Sequence, residues 1–200
     1  MAHIEELVGS YKAHISAPWQ RNLAGAQKAI FVVYPKTDER RLRARLELFE
    51  LATKESGHGW LQFDFTKLFG RWMAATAYRD EYFRSPADLT MKLESDFVQY
   101  AAGQLRETLT STQADENTVV AACGVASLYG FSRVSLLLKE VENNIRGRLA
   151  LFFPGEYENQ NYRQLANEKN QTTESASQFA VRRAVAQVAD GFVNLARQEL

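Results

Sequence analysis

The chain has 200 residues, 46% hydrophobic and 12% aromatic, a composition that supports one sizeable core. Twenty-four Lys and Arg against twenty-four Asp and Glu leave zero formal net charge, so whole-molecule attraction to nucleic acid or an anionic membrane is excluded and any such contact must be local. The single cysteine, Cys123, excludes an internal disulfide and a cysteine-built zinc site.

In chain order, Ile4, Leu7, Val8, Tyr11 and Ile15 recur at helical spacing and predict an amphipathic helix that stops before Pro18. This opening lacks the basic start and apolar block of a secretory signal, and no later segment is apolar long enough to span a bilayer. A cytoplasmic protein is expected. "IFVVY" (Ile30 to Tyr34) reads as a strand, and Thr37 or Asp38 is placed to cap a helix "ERRLRARLELFELATKES" whose Leu42, Leu46 and Phe49 share a face. "GHGWLQFDF" reads as a second strand to Phe65, with Thr66 placed to cap "KLFGRWMAATAYRDEYFR". Ser85, Pro86 and Asp88 make a capping-box-like start for a long helix carrying Leu93, Phe97, Ala101 and Leu105 inward.

After a polar connector, "TVVAACGV" is apolar throughout, as a central parallel strand should be, and makes Cys123 a small buried hydrophobe. Ser132 is placed to cap the next helix, with Phe131 and Leu136 at staple positions and Val134, Leu137, Leu138, Val141 and Ile145 as its buried stripe. Gly147 is read as the helix stop, "RLALFF" as a fourth strand, and Pro154 with Gly155 as the centre of a type II turn. Residues 166–178 read as a polar linker. Val181, Val185, Val188, Phe192 and Leu195 predict a C-terminal amphipathic helix over 179–200.

Strands alternating with helices predict an α/β class: a single layered domain over 1–165, with the first helix packed on it and a mostly parallel four-to-five-stranded sheet flanked by helices. Parallel strands bring their C-terminal ends to one edge, where open α/β sheets usually hold ligands. That edge would gather Tyr34 to Thr37, Asp64, Gly124 to Ser127, and the segment from Pro154 to Arg163.

Several residue groups there, or near it, could carry function. "GVASLYGFS" offers Gly124, Ser127, Gly130, Ser132 and Arg133 as a phosphate or nucleotide loop, but it has neither the Walker lysine nor the three-glycine dinucleotide spacing, and a tight strand-to-helix turn is the stronger reading. His3, His14 and His58 are too scattered for a metal site, and Ser127 lacks a nucleophile elbow or a histidine partner. No cofactor, metal or catalytic constellation is expected. Arg40, Arg41, Arg43 and Arg45 could track phosphates, yet Glu39, Glu47 and Glu50 are interleaved and a solvated helix face is the stronger reading. Glu156, Tyr157, Glu158, Asn159, Asn161, Tyr162 and Arg163 combine aromatic surface, a guanidinium fork and directional polar groups, and predict a partner-docking loop. The competing reading has Arg163 pairing with Glu156 or Glu158 as an internal staple.

"PWQRNLAGAQKAIFVVYPKTDERRLRARLELFELAT", "GHGWLQFDFT", "GVASLYGFSRVS" and "IRGRLALFFPGEYENQNYRQL" together resemble the BrxB family of bacterial BREX (bacteriophage exclusion) systems, in order from Pro18 to Leu165. The resemblance implies a small cytoplasmic, non-enzymatic component of an antiviral complex. Its expected direct partner is the PglZ-type alkaline-phosphatase-like protein, with the methyltransferase and large ATPase as further candidates and any DNA contact indirect or weak. The chain departs from that pattern after "NYR", passing into the polar linker at Ala166 where relatives continue into an aromatic, strand-like segment. Two other readings remain: a nucleotide-sensing regulatory domain using the loop from Gly124 to Gly130, and a DNA-contacting adaptor using the arginine helix.

Overall fold

The computed structural model describes residues 2–20 and 22–155. Four strands, β1 (Ala29–Tyr34), β2 (Gly59–Asp64), β3 (Thr118–Cys123) and β4 (Arg148–Pro154), pair in parallel in the order β1-β4-β3-β2. The first connection crosses the full width of the sheet, and the next two step back to adjacent positions. With crossovers of one hand, that reversal of direction requires the covering helices to change faces. They do. Helices α1 (Ala2–Ile15), α2 (Glu39–Arg43) and α3 (Leu46–Glu55) supply the core of one face. On the other face α4 (Leu68–Ala75), α7 (Val98–Leu109) and α8 (Val134–Val141) do so, with α5 (Arg79–Arg84), α6 (Thr90–Lys92) and a π-helical turn (Leu93–Phe97) between α4 and α7 along the chain. The expected α/β class and parallel sheet are therefore the observed ones.

Strand alternation divides the core. Val119, Ala121, Cys123, Ala150 and Phe152 pack with Ile4, Tyr11, Ile15, Leu42 and Phe49. Val120, Ala122, Leu149, Leu151 and Phe153 pack with Leu105, Leu109, Leu137 and Val141 on the opposite side. Phe49 is fully buried and meets Phe152 edge-on at 4.9 Å and Tyr11 at 5.4 Å, burial worth about 2–3 kcal/mol for the ring.

Where the chain departs from expectation, local signals yield to tertiary ones. The helix predicted from Glu39 breaks after Arg43, and Arg45, at φ −126° and ψ 18°, starts α3. Neither Thr37 nor Asp38 caps it with a side chain. The helix predicted to follow Thr66 is split at Thr76, whose extended backbone (ψ 125°) separates α4 from α5. Thr66 itself does not cap α4, because its hydroxyl is turned back to Asp64. Residue Arg133, not Ser132, holds the N-cap position of α8, and Phe131 stacks on Phe69 at 3.8 Å while Leu136 stays exposed.

Two further corrections concern the last strand. Gly147 is not a helix stop, since α8 ends at Val141; it lets β4 approach β3, because a Cβ there would run into the carbonyl oxygen of Thr118. Pro154 and Gly155 form no type II turn, which would need a positive φ at the glycine that Gly155 lacks. Instead β4 runs through Pro154, which pairs with Tyr34, and Gly155 N donates to Tyr34 O at 2.8 Å. The odd-numbered residues of β4 thus face β1, so the proline's missing N–H lies toward β3, beyond the last β3–β4 pair, Ala122↔Leu151. The docking residues Glu156 to Arg163, the polar linker and the C-terminal helix lie outside the described residues.

Candidate functional site

Parallel pairing places Tyr34, Asp64, Cys123 and Pro154, the last residues of the four strands, along one edge of the sheet. The expected convergence of Tyr34, Asp64, Gly124 and Pro154 is present. A polar network joins Tyr34 to Asp64. The Tyr34 hydroxyl donates to the Glu39 carboxylate, and Arg43 Nε, one turn further along α2, donates to the same carboxylate at 2.8 Å. Arg43 Nη2 then reaches the far side of the sheet, donating to Asp64 Oδ1 at 3.2 Å and to the Thr66 hydroxyl. Asp64 Oδ1 also accepts the Thr66 backbone N–H at 2.9 Å and its hydroxyl. The sequence Asp64-Phe65-Thr66 favours this local closure, because an aspartate can accept from the backbone two residues on.

The charges in this network stabilise one another. For Asp64, burial raises the carboxyl, but the hydrogen bonds of Thr66 and the charge of Arg43 outweigh it and hold the group below its usual value. For Arg43, burial works against the charge, yet Glu39 and Asp64 prevail and the guanidinium stays firmly protonated. Burial first, then the bond to Glu39, push the Tyr34 phenol well above its ordinary range. Tyr129, raised mainly by burial, donates to Pro154 O at 3.0 Å at the same edge.

Gly124 is the floor of the network. At φ +71° it adopts a left-handed conformation, and a Cβ there would come within 2.6 Å of Arg43 Nη2 and of Thr66 Oγ1 and closer still to Asp64 Oδ1. The loop that follows is a 3₁₀ turn, Val125–Leu128, not the start of an α-helix. Its amides at Ser127, Tyr129, Phe131 and Ser132 bond to the carbonyls of Gly124, Ala126 and Leu128, and the Ser127 hydroxyl donates to Gly124 O at 2.7 Å. Four of the N–H groups that could cradle a phosphate are thus already engaged, and the Asp64 carboxylate stands beside Gly124. Gly130 and Arg133 lie exposed beyond the turn, with Ser132 between them half-buried.

Of the four arginines, the structure brings only Arg43 to this edge. Arg40 and Arg41 are exposed, with Arg41 3.3 Å from Asp38, and Arg45 lies 3.4 Å from Glu5 of α1. The break between α2 and α3 divides the row. Sequence reasoning missed Arg43 and Thr66 as partners of Asp64, and Glu39 as the partner of Tyr34 and Arg43. The available signals were the Glu39–Arg43 spacing of four and the Asp-x-Thr turn, and neither says which strand end lies opposite.

The other end of the sheet holds His58 in a structural role. His58 places Nδ1 2.6 Å from Asn117 Oδ1 and Nε2 3.1 Å from Ile15 O, and stacks on Trp19 at 3.9 Å. The Arg148 guanidinium, from the start of β4, lies 4.6 Å from the centre of the same indole. Searches of protein-family models, curated proteins and solved structures return no match to the chain.

Proposed function

We propose that this chain is a non-enzymatic protein-interaction component of a BREX anti-phage complex, docking the PglZ-type alkaline-phosphatase-like protein through residues 156–163. The carrying observation is the network around Gly124. At the edge where α/β sheets usually hold ligands, Tyr34, Glu39, Arg43, Asp64 and Thr66 form one bonded chain, and Arg43, Asp64 and Thr66 fill the space over Gly124. A site occupied by its own side chains suits a rigid platform better than a reaction centre. Gly155 is bonded to Tyr34 at this platform, so the "GEYENQNYRQL" motif begins there. The resemblance of the sequence motifs to the BrxB family supports the same kind of partner. The engaged amides of the 124–132 turn weigh against the nucleotide-sensing alternative, and the divided arginine row weighs against the DNA adaptor.

The test is capture of the whole chain's partners from cells carrying the complete defence locus. Tyr157→Ala combined with Arg163→Ala should abolish capture of the PglZ-type protein and phage protection while leaving the melting temperature unchanged, since a hot-spot truncation costs about 2 kcal/mol or more in binding. Undiminished capture by the double variant would refute the docking loop.

A further inference from the structure

We infer that the outer edge of β2 is a self-association surface, on which a second copy of this chain adds its own β2 in antiparallel register centred on Gln62. The backbone directions fix which groups are available. Gly59 N donates to Asn117 O and Phe65 N to Cys123 O, so the odd-numbered residues of β2 turn their N–H and C=O groups toward β3. Trp60, Gln62 and Asp64 therefore turn theirs outward. Among the described residues β2 is the last strand at this side of the sheet, and no hydrogen bond reaches the main chain of Trp60 or Gln62.

Such an edge is usually protected by lysine, proline or a bulge. The run Gly59 to Phe63 contains neither residue and pairs with β3 in unbroken register. Its apolar side chains Trp60, Leu61 and Phe63 are only partly covered, whereas every residue of β3 is buried.

The symmetry of the strand selects the occupant. Outward groups pair with outward groups in an antiparallel ladder, and a twofold axis at Gln62 uses all three: Gln62 opposite Gln62, and Trp60 of each copy opposite Asp64 of the other. That makes about six main-chain hydrogen bonds, two for each directly bonded pair. A register displaced by two residues leaves one of the three unpaired. On the opposite side of the ladder, Leu61 of each copy meets Phe63 of the other, an apolar pair at the closer spacing. Gln62, exposed in one copy, carries both a donor and an acceptor and so complements itself across the axis. The strand's only charge, Asp64, avoids a second carboxylate. A twofold pairing also closes, so the four described strands of one copy continue into the four of the other and the assembly stops at two copies.

Sedimentation of the full chain at about 50 µM tests this, a concentration at which a micromolar dimer is mostly assembled. The expected mass is twice the 22.7 kDa of one chain. Gln62→Lys and Gln62→Glu, at an exposed position, should each retain the melting profile yet weaken the dimer at least about tenfold through like charges on the axis. An equimolar mixture of the two variants should restore it. A monomeric wild type, an undiminished dimer in either variant, or failure of the mixture to reassociate would overturn the inference.

Discussion

Arg43 Nη2 stands 3.2 Å from Asp64 Oδ1, although α2 follows the strand at one edge of the sheet and Asp64 ends the strand at the other. One side chain thus ties together the two ends of the crossover that spans all four strands. Its second bond, to Glu39, anchors the near end.

Arg43→Ala should therefore destabilise the fold, but modestly. The carboxylates it leaves behind, with side chains 26% and 47% exposed at Glu39 and Asp64, can turn to water. A loss of about 1 kcal/mol is expected, a fall of roughly 2–4 °C in melting temperature. Arg43→Lys should not recover it, because a single ammonium cannot replace a planar fork that bonds both carboxylates. Thermal melts of the two variants decide this, and full recovery by lysine would contradict it.

Asp64 gives the fold an acid dependence whose sign follows from its environment. Burial alone would raise the carboxyl, but Thr66 and Arg43 hold it below its ordinary 3.8 in the folded chain. Its contribution is thus complete above that value and disappears as pH falls through the lower, folded one. Urea unfolding from about pH 6 to about pH 3 should show Asp64→Asn less stable than wild type at the upper end and converging with it at the lower. Parallel curves would remove Asp64 from the acid transition.

Two glycines separate backbone strain from steric conflict. Gly124 and Gly130 have φ of +71° and +79°, but a Cβ added at Gly130 would meet nothing within 4 Å, whereas one at Gly124 would meet Asp64, Arg43 and Thr66. Gly130→Ala should cost about 1–2 kcal/mol, the left-handed term alone. Gly124→Ala should cost about 2 kcal/mol more, because it also forces the network apart. Equal losses in denaturant titrations would mean that the network yields freely.

Cys123 should be inert in the native protein. It is 2% exposed, and burial first, with Asp64 second, pushes its thiol from 9.0 up to about 12. At about pH 8 a thiol reagent should label it only through unfolding, at least about 100-fold slower than in urea. Because the folded thiol is the weaker acid, its stabilising effect is present below pH 9.0 and lost as pH climbs toward about 12. Rapid stoichiometric labelling of native protein would contradict the buried strand position.

The four strands were legible because their runs are short, apolar and rich in β-branched or aromatic residues, as in "IFVVY" and "TVVAAC". Helix interruptions were not. At Ala44–Arg45 and at Thr76 there is no glycine or proline, and the apolar spacing of Leu42 and Phe49 continues across the first break. The Arg43–Asp64 contact was illegible for a different reason. It depends on strand order, and local periodicity marks a strand without saying which strand lies beside it. Gly124 could be read as a tight turn, but what fills the turn comes from two distant segments.

The insertion of β4 beside β1 also has a temporal consequence. Ala29 pairs with Leu149, 149 − 29 = 120 positions later, whereas β2, β3 and β4 can assemble from neighbouring units. During synthesis from the N-terminus, β1 emerges first and waits, its apolar "AIFVVY" without a neighbouring strand, until the last part of the sheet leaves the ribosome. Closing so long a loop is slow, and the entropy is lost before the contacts are gained. Pulsed hydrogen exchange during refolding should therefore protect the amides of β3 before those of β1. Simultaneous protection would show that α1 and α3 organise this strand in advance of its partner.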